Sequence, residues 1–147
     1  LMRPGLASDL IVEQAMRAMA LVLAGIDPHG FIAETERISL SPARLRRVIE
    51  YIEANLDAPL MLEQLAQIAG LSVFHFARVF RAATGFSPHH YVIERRMYLA
   101  QRLLMMPELP VRDIARACGF ARHANFSAAF TRARGTSPSA FRARFAL

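Results

Sequence analysis

From Ser8 onward the apolar residues of this chain recur at every third or fourth place, and Gly and Pro fall where one such run ends and the next begins. That pattern predicts an all-helical fold. "SDLIVEQAMRAMALVLAG" starts at Ser8, an N-capping residue, sets Ile11, Ala15, Met19 and Val22 along one side and stops at Gly25. Residues 25–40 show no clear period and read as a linker. "SPARLRRVIEYIEANLD" then opens with Ser41 as N-cap and Pro42 at the first helical position, and places Leu45, Val48, Ile49 and Ile52 together. After it come a short helix over about Met61–Ala69, a helix capped by Ser72 and ended by Gly85, and a long helix from Ser87-Pro88 to about Met106. A second short helix ("VRDIARACG"), a second longer one ("ARHANFSAAFTRAR") and a last one from Ser137-Pro138 to Phe145 complete the chain.

The order of these elements repeats. Ala66 and Gly70 match Ala115 and Gly119 at a shift of 49, whereas Phe76, Phe80, Gly85, Ser87, Pro88 and Tyr91 match Phe126, Phe130, Gly135, Ser137, Pro138 and Phe141 at a shift of 50. The extra residue falls in the turn between two helices, as expected of two copies of one structural unit. Each copy is a short helix, a tight turn and a longer helix. A small residue at Ala66 or Ala115 permits close approach, and a glycine four places on accepts the positive φ of the turn. This is the pattern of a helix-turn-helix. The long helix between the copies would span about 28 Å if it ran from Pro88 to Met106, and successive major-groove faces of B-DNA lie about 34 Å apart. Two second helices so joined could enter adjacent turns of one duplex without a dimer.

Charge strengthens that picture. Residues 1–71 carry six Arg against nine acids, residues 72–147 twelve Arg against three, so the halves come to −3 and +9 within a net +6. A concentrated basic half is the footprint of a protein that meets a polyanion. Every cation is arginine, whose planar donor fork suits phosphates and guanine edges. The absence of lysine excludes a P-loop lysine and a Schiff base, and no G-x-G-x-x-G, G-x-S-x-G or H-E-x-x-H occurs. His89 and His90 stand side by side at a helix start, a place for capping or phosphate contact rather than a metal. Cys118, the one cysteine, sits in the apolar "RACGF" turn and reads as a packed thiol, not a nucleophile. The chain is therefore expected to be no enzyme, to need no cofactor or metal, and to work in the cytoplasm, where a lone thiol stays reduced. The rival to a DNA-binding reading is a helical protein-interaction module whose arginines are merely solvated.

"LAQIAGLSVFHFARVFRAATGFSPHHYVIERRMYLAQRLL" and "VRDIARACGFARHANFSAAFTRARGTSPSAFR" together resemble the DNA-binding domain of the AraC/XylS family of bacterial transcription regulators. The resemblance covers about Leu45 to Arg144 and is most specific in the second half, from "IARACGF" through Phe126, Phe130, Gly135, Pro138 and Arg142. It implies a first helix-turn-helix subdomain over 41–86, a linker helix over 87–106 and a second subdomain over 107–147, each a homeodomain-like three-helix unit. It also implies promoter DNA and RNA polymerase as partners, and usually activation of transcription. Because Leu1 precedes Met2, residues 1–40 are expected to be the remnant of an upstream sensory or dimerising domain, through which alone a small-molecule effector would act. The stripe along residues 8–24 is expected to pair with a second copy in a homodimer, the alternative being that it folds onto the module.

With Phe76 and Phe80 turned inward, a step of 100° per residue sends Phe74, Arg78 and Arg81 outward, with His75 and Ala77 on the shoulders. Phe74 and Arg78 align with base-contacting positions of similar family members. Arg78 is the candidate for a bidentate contact to guanine, Phe74 for a thymine methyl, its other reading being a partly buried packing residue, with His75 beside them, and Arg81 for a phosphate. The second copy departs from the pattern. Its outward stripe is Ala124, Ala128 and Thr131, where many family members carry arginine in place of Ala128. That leaves Arg122, His123 and Asn125 as base readers, and Arg132 and Arg134 as phosphate contacts. The first copy is expected to set most of the sequence preference and the second to position.

Overall fold

The computed structural model describes residues 39–145. The helix expected from Ser8 to Gly25, its dimer stripe and all but the end of the 25–40 linker lie outside the described residues. The unit that begins at Leu40 is built, among the described residues, from α1 (Pro42–Ala54), α2 (Leu62–Ala69), α3 (Val73–Thr84), α4 (Pro88–Leu104), α5 (Val111–Ala117), α6 (His123–Arg134) and α7 (Pro138–Phe145).

Local chemistry sets these boundaries. The hydroxyls of Ser41, Ser72, Ser87 and Ser137 accept from the backbone N–H groups of Arg44, His75, His90 and Ala140 at 3.2–3.4 Å. Each satisfies a donor that the first helical turn leaves orphaned. In α1, α4 and α7 a proline follows the serine, where its missing N–H costs nothing. Leu40, just before the Ser41 cap, is buried, and Leu45 in the first turn packs against the same core. That is the arrangement of a hydrophobic staple, so the unit starts ahead of its first cap. Helix α4 ends at Leu104, two residues before the expected Met106, because Met105 already caps it and the chain turns toward Pro107 and Pro110.

Packing follows the repeat. Helices α1, α2 and α3 form one three-helix unit and α4, α5 and α6 a second, with α7 closing over α6 and α4. The turn of the first helix-turn-helix holds residues 70–72 and that of the second residues 118–122, and Gly119 stands one residue farther from the next helix than Gly70 does. The first core holds Val48, Ile52, Leu65, Ala66, Phe76, Phe80 and Val92, and the second Met97, Ala100, Leu104, Ile114, Ala115, Cys118, Phe126 and Phe130. Matching phenylalanines tilt against each other in both, Phe76 on Phe80 at 5.3 Å and Phe126 on Phe130 at 5.9 Å between ring centres. The edge-on partner of Phe80 is Tyr91, and that of Phe130 is Phe141.

The helix read from sequence as a connector belongs to both cores. Val92 near its start is buried in the first, Met97, Ala100 and Leu104 in the second, and Leu99 packs against each. A seventeen-residue helix of this kind spans about 25 Å.

Candidate nucleic-acid interface

The second helix of each helix-turn-helix has a buried face and a bare one. On α3, Phe76 and Phe80 are fully buried while Phe74 is 80% exposed, and Arg78 and Arg81, one and two turns beyond Phe74, are exposed with it. His75 and Ala77 are half-buried on the flanks, and the His75 backbone N–H is held by the Ser72 hydroxyl. A phenylalanine so exposed, in line with two arginines, adds no buried surface to the core of its own unit. On α6, Phe126 and Phe130 are buried and the bare face carries Ala124, Asn125, Ala128, Thr131 and Arg132, with Arg122 and His123 exposed at its start. Arg122 takes the N-cap position, but its side chain cannot accept a hydrogen bond, so none caps this helix.

Arg134, expected at a phosphate, is engaged elsewhere. Its Nε donates to Gln101 Oε1 at 2.8 Å and an Nη donates to Glu94 Oε2 at 3.1 Å, both on α4, and the side chain is only 20% exposed. Three other arginines of the basic half are also bonded within the protein, Arg95 at its surface and Arg96 and Arg142 turned inward. Arg95 meets the Glu53 carboxylate fork to fork, a hydrogen bond that raises its pKa and ties α4 to α1. Arg96 donates to the backbone oxygens of Leu56 and Ala58 at 3.0 and 2.8 Å. Arg142 does the same for Leu104 and Leu109 at 3.3 and 2.6 Å. The two arginines do one job in the two copies: each closes carbonyls at or just past the end of the first helix of its unit. The repeat hides this, since Arg142 corresponds by shift to Val92, one turn before Arg96.

Position could have marked these inward arginines. Arg96 lies four residues from buried Val92 and Ala100, Arg134 four from Phe130, and Arg142 four from Pro138, each on the buried stripe of its helix. A charge on such a stripe must be paired or hydrogen-bonded. The arginines left without a partner inside the protein, among described residues beyond 71, are Arg78, Arg81, Arg102, Arg116, Arg122 and Arg132.

Other chemistry is sparse. Among the described residues no three His, Cys, Asp or Glu side chains stand where they could hold a metal, and no helix is long and apolar enough to cross a membrane. His89 and His90 are exposed at the start of α4, where His90 stacks on Phe86 at 5.1 Å. Cys118 is completely buried, and burial pushes its thiol up to about 12, partly offset by the nearby Arg96 cation. The thiolate is the reactive form, so thiol reagents at pH 8 should leave the folded protein unlabelled and modify it fully in denaturant; rapid labelling of the native chain would contradict this packing.

A family model described as a helix-turn-helix domain matches residues 65–144. The probable transcriptional regulator LumQ of Photobacterium leiognathi is 34% identical over 100 residues, 67% of this chain and 40% of LumQ. The regulatory protein SoxS of Salmonella typhimurium is 33% identical over 100 residues, 68% of this chain and 94% of SoxS. Among solved structures, the DNA-binding domain of the global transcriptional factor AdpA, in complex with a target DNA, superposes with a TM-score of 0.66 at 35% identity. That match covers 69% of this chain and 91% of the AdpA domain. The chain thus spans nearly all of SoxS but less than half of LumQ.

Proposed function

The chain belongs to the AraC/XylS family of DNA-binding transcription regulators, and on that premise we propose that α3 and α6 enter successive turns of the major groove of promoter DNA, with α3 as the discriminating reader. The observation that carries this reading is the bare face of α3, where an 80% exposed phenylalanine stands in line with two exposed arginines. Water gives Phe74 nothing, whereas a thymine methyl would remove its ring from solvent. Arg78, one turn on, can present its fork to guanine O6 and N7, and Arg81 is placed to meet a phosphate. His75, half-buried on the shoulder, would touch a neighbouring base edge.

The face of α6 offers shorter side chains. Ala124 and Ala128 can touch only methyl groups, so readout falls to Arg122, His123 and Asn125 at the helix start, and Arg132 meets the backbone. Arg134 serves this interface indirectly, as the strut that holds α6 to α4. On the same footing RNA polymerase is the partner at the promoter, and any effector or dimer contact acts through chain outside the described residues.

Site selection from random DNA tests the ranking. Arg78→Ala should cost about 1–3 kcal/mol at the selected site and relax the preference at one base pair. Asn125→Ala should weaken binding with little change in the selected sequence. Were Arg78→Ala to weaken all sequences alike while Asn125→Ala changed the preferred bases, the roles of the two helices would be reversed.

A further inference from the structure

Where the two units touch, one side chain bridges them. Arg96 leaves α4, hydrogen-bonds the Leu56 and Ala58 carbonyls of the first unit, and lies with its guanidinium 5.8 Å from the Phe120 ring centre in the turn of the second. Gly119, in the same turn, is so close that a Cβ there would stand 2.7 Å from the Arg96 guanidinium carbon and nearer still to the Leu56 oxygen. The second helix-turn-helix therefore rests its turn directly on the loop between α1 and α2 of the first, with the arginine wedged at the joint. The corresponding glycine of the first copy, Gly70, has nothing within 4 Å of the same point. The contact belongs to the pairing of the units and not to the helix-turn-helix as such.

We propose that Arg96 is a positioning residue which fixes the angle between the two helix-turn-helix units and so selects the number of base pairs between the two segments they read. The inference rests on the two-groove reading given above. Two rigid hydrogen bonds to carbonyls on either side of Asp57 restrict rotation of one unit against the other in a way that apolar packing along α4 alone does not. The fork of arginine is needed, because lysine is a single point charge that does not hold two carbonyls in fixed directions. Inserting one base pair turns the second segment by about a tenth of a helical turn and moves it along the axis. A clasped pair of readers cannot follow that rotation and an unclasped pair can.

The test uses the full chain and the duplex it selects from random DNA, alongside the same duplex with one base pair inserted or removed between the two protected segments. The wild type should lose about tenfold or more on the altered duplexes, the size of one mismatched base pair. Arg96→Gln should bind the original duplex less tightly yet discriminate between the spacings less than twofold, with Arg96→Lys in between. A merely destabilising change would lower binding to all three duplexes together and keep their ratio, so an unchanged ratio in both variants overturns the proposal. So does a wild type indifferent to spacing. Should Arg96→Gln lose its helical circular dichroism, the lysine variant decides. A wild type that selects no sequence at all would instead remove the reading on which the inference rests, and the inference with it.

Discussion

Raising the salt from about 50 to about 200 mM should cost this protein about a thousandfold in DNA affinity, because six arginine cations brought against the duplex, at base edges or at phosphates, displace counterions for a slope of log K against log salt near −5. The number six has a structural basis. Of the twelve arginines beyond residue 71, four bond to distant parts of the protein, Arg112 pairs with Asp113 and Arg144 lies over the Phe145 ring, whereas Arg78, Arg81, Arg102, Arg116, Arg122 and Arg132 have no partner inside it. A slope near −11, as though all twelve bound phosphate, would mean that Arg95, Arg96, Arg134 and Arg142 let go of the protein on binding. A flat titration would favour the rival in which these helices meet another protein. Fluorescence anisotropy with a labelled duplex at four or five salt concentrations separates the three outcomes.

Gly119→Ala should destabilise the protein by roughly 2–5 kcal/mol, against about 1–2 kcal/mol for Gly70→Ala, the strain an L-residue meets in the left-handed region. The two glycines share a position in the repeat and nearly the same backbone, φ 68° at Gly70 and 77° at Gly119. A Cβ at Gly70 points into open space, whereas one at Gly119 runs into the Leu56 carbonyl and the Arg96 guanidinium. The excess is the cost of pushing the two units apart. Thermal melts of the full-length variants should place Gly119→Ala well below Gly70→Ala; equal melting temperatures would show that the joint yields easily. Both losses are large beside the 5–15 kcal/mol that holds a typical domain folded.

The helices and their caps were legible because their causes are local. A serine followed by proline names a helix start wherever it occurs, and the glycines that end α3 and α6 adopt the positive φ their places demand. The buried phenylalanine pairs, and the outward stripe of α3, followed from the 100° step alone. What the charge pattern concealed was the use of each arginine. Counting Arg across residues 72–147 treats Arg78 and Arg96 alike, although one lies opposite Phe76 and Phe80 and the other follows Val92 on the buried stripe. Had the same helical period been applied to the cations, Arg134 would have stood out as one turn beyond Phe130, facing α4. The partners of Arg96 could not have been found that way, because Leu56 and Ala58 are 40 and 38 residues distant in the chain and meet it only once the first unit has folded.

The helix α4 closes two hydrophobic cores, and this limits what can be done with either copy of the repeat. A cut at Ser87 would strip Val92 from the first core, and a cut after Leu104 would leave α6 without the floor on which Phe126 and Phe130 rest. The two copies of the repeat are therefore not interchangeable cassettes. Retargeting such a protein calls for grafting the outward residues of α3 or α6 onto the intact scaffold, since a transplanted half would arrive with an open core.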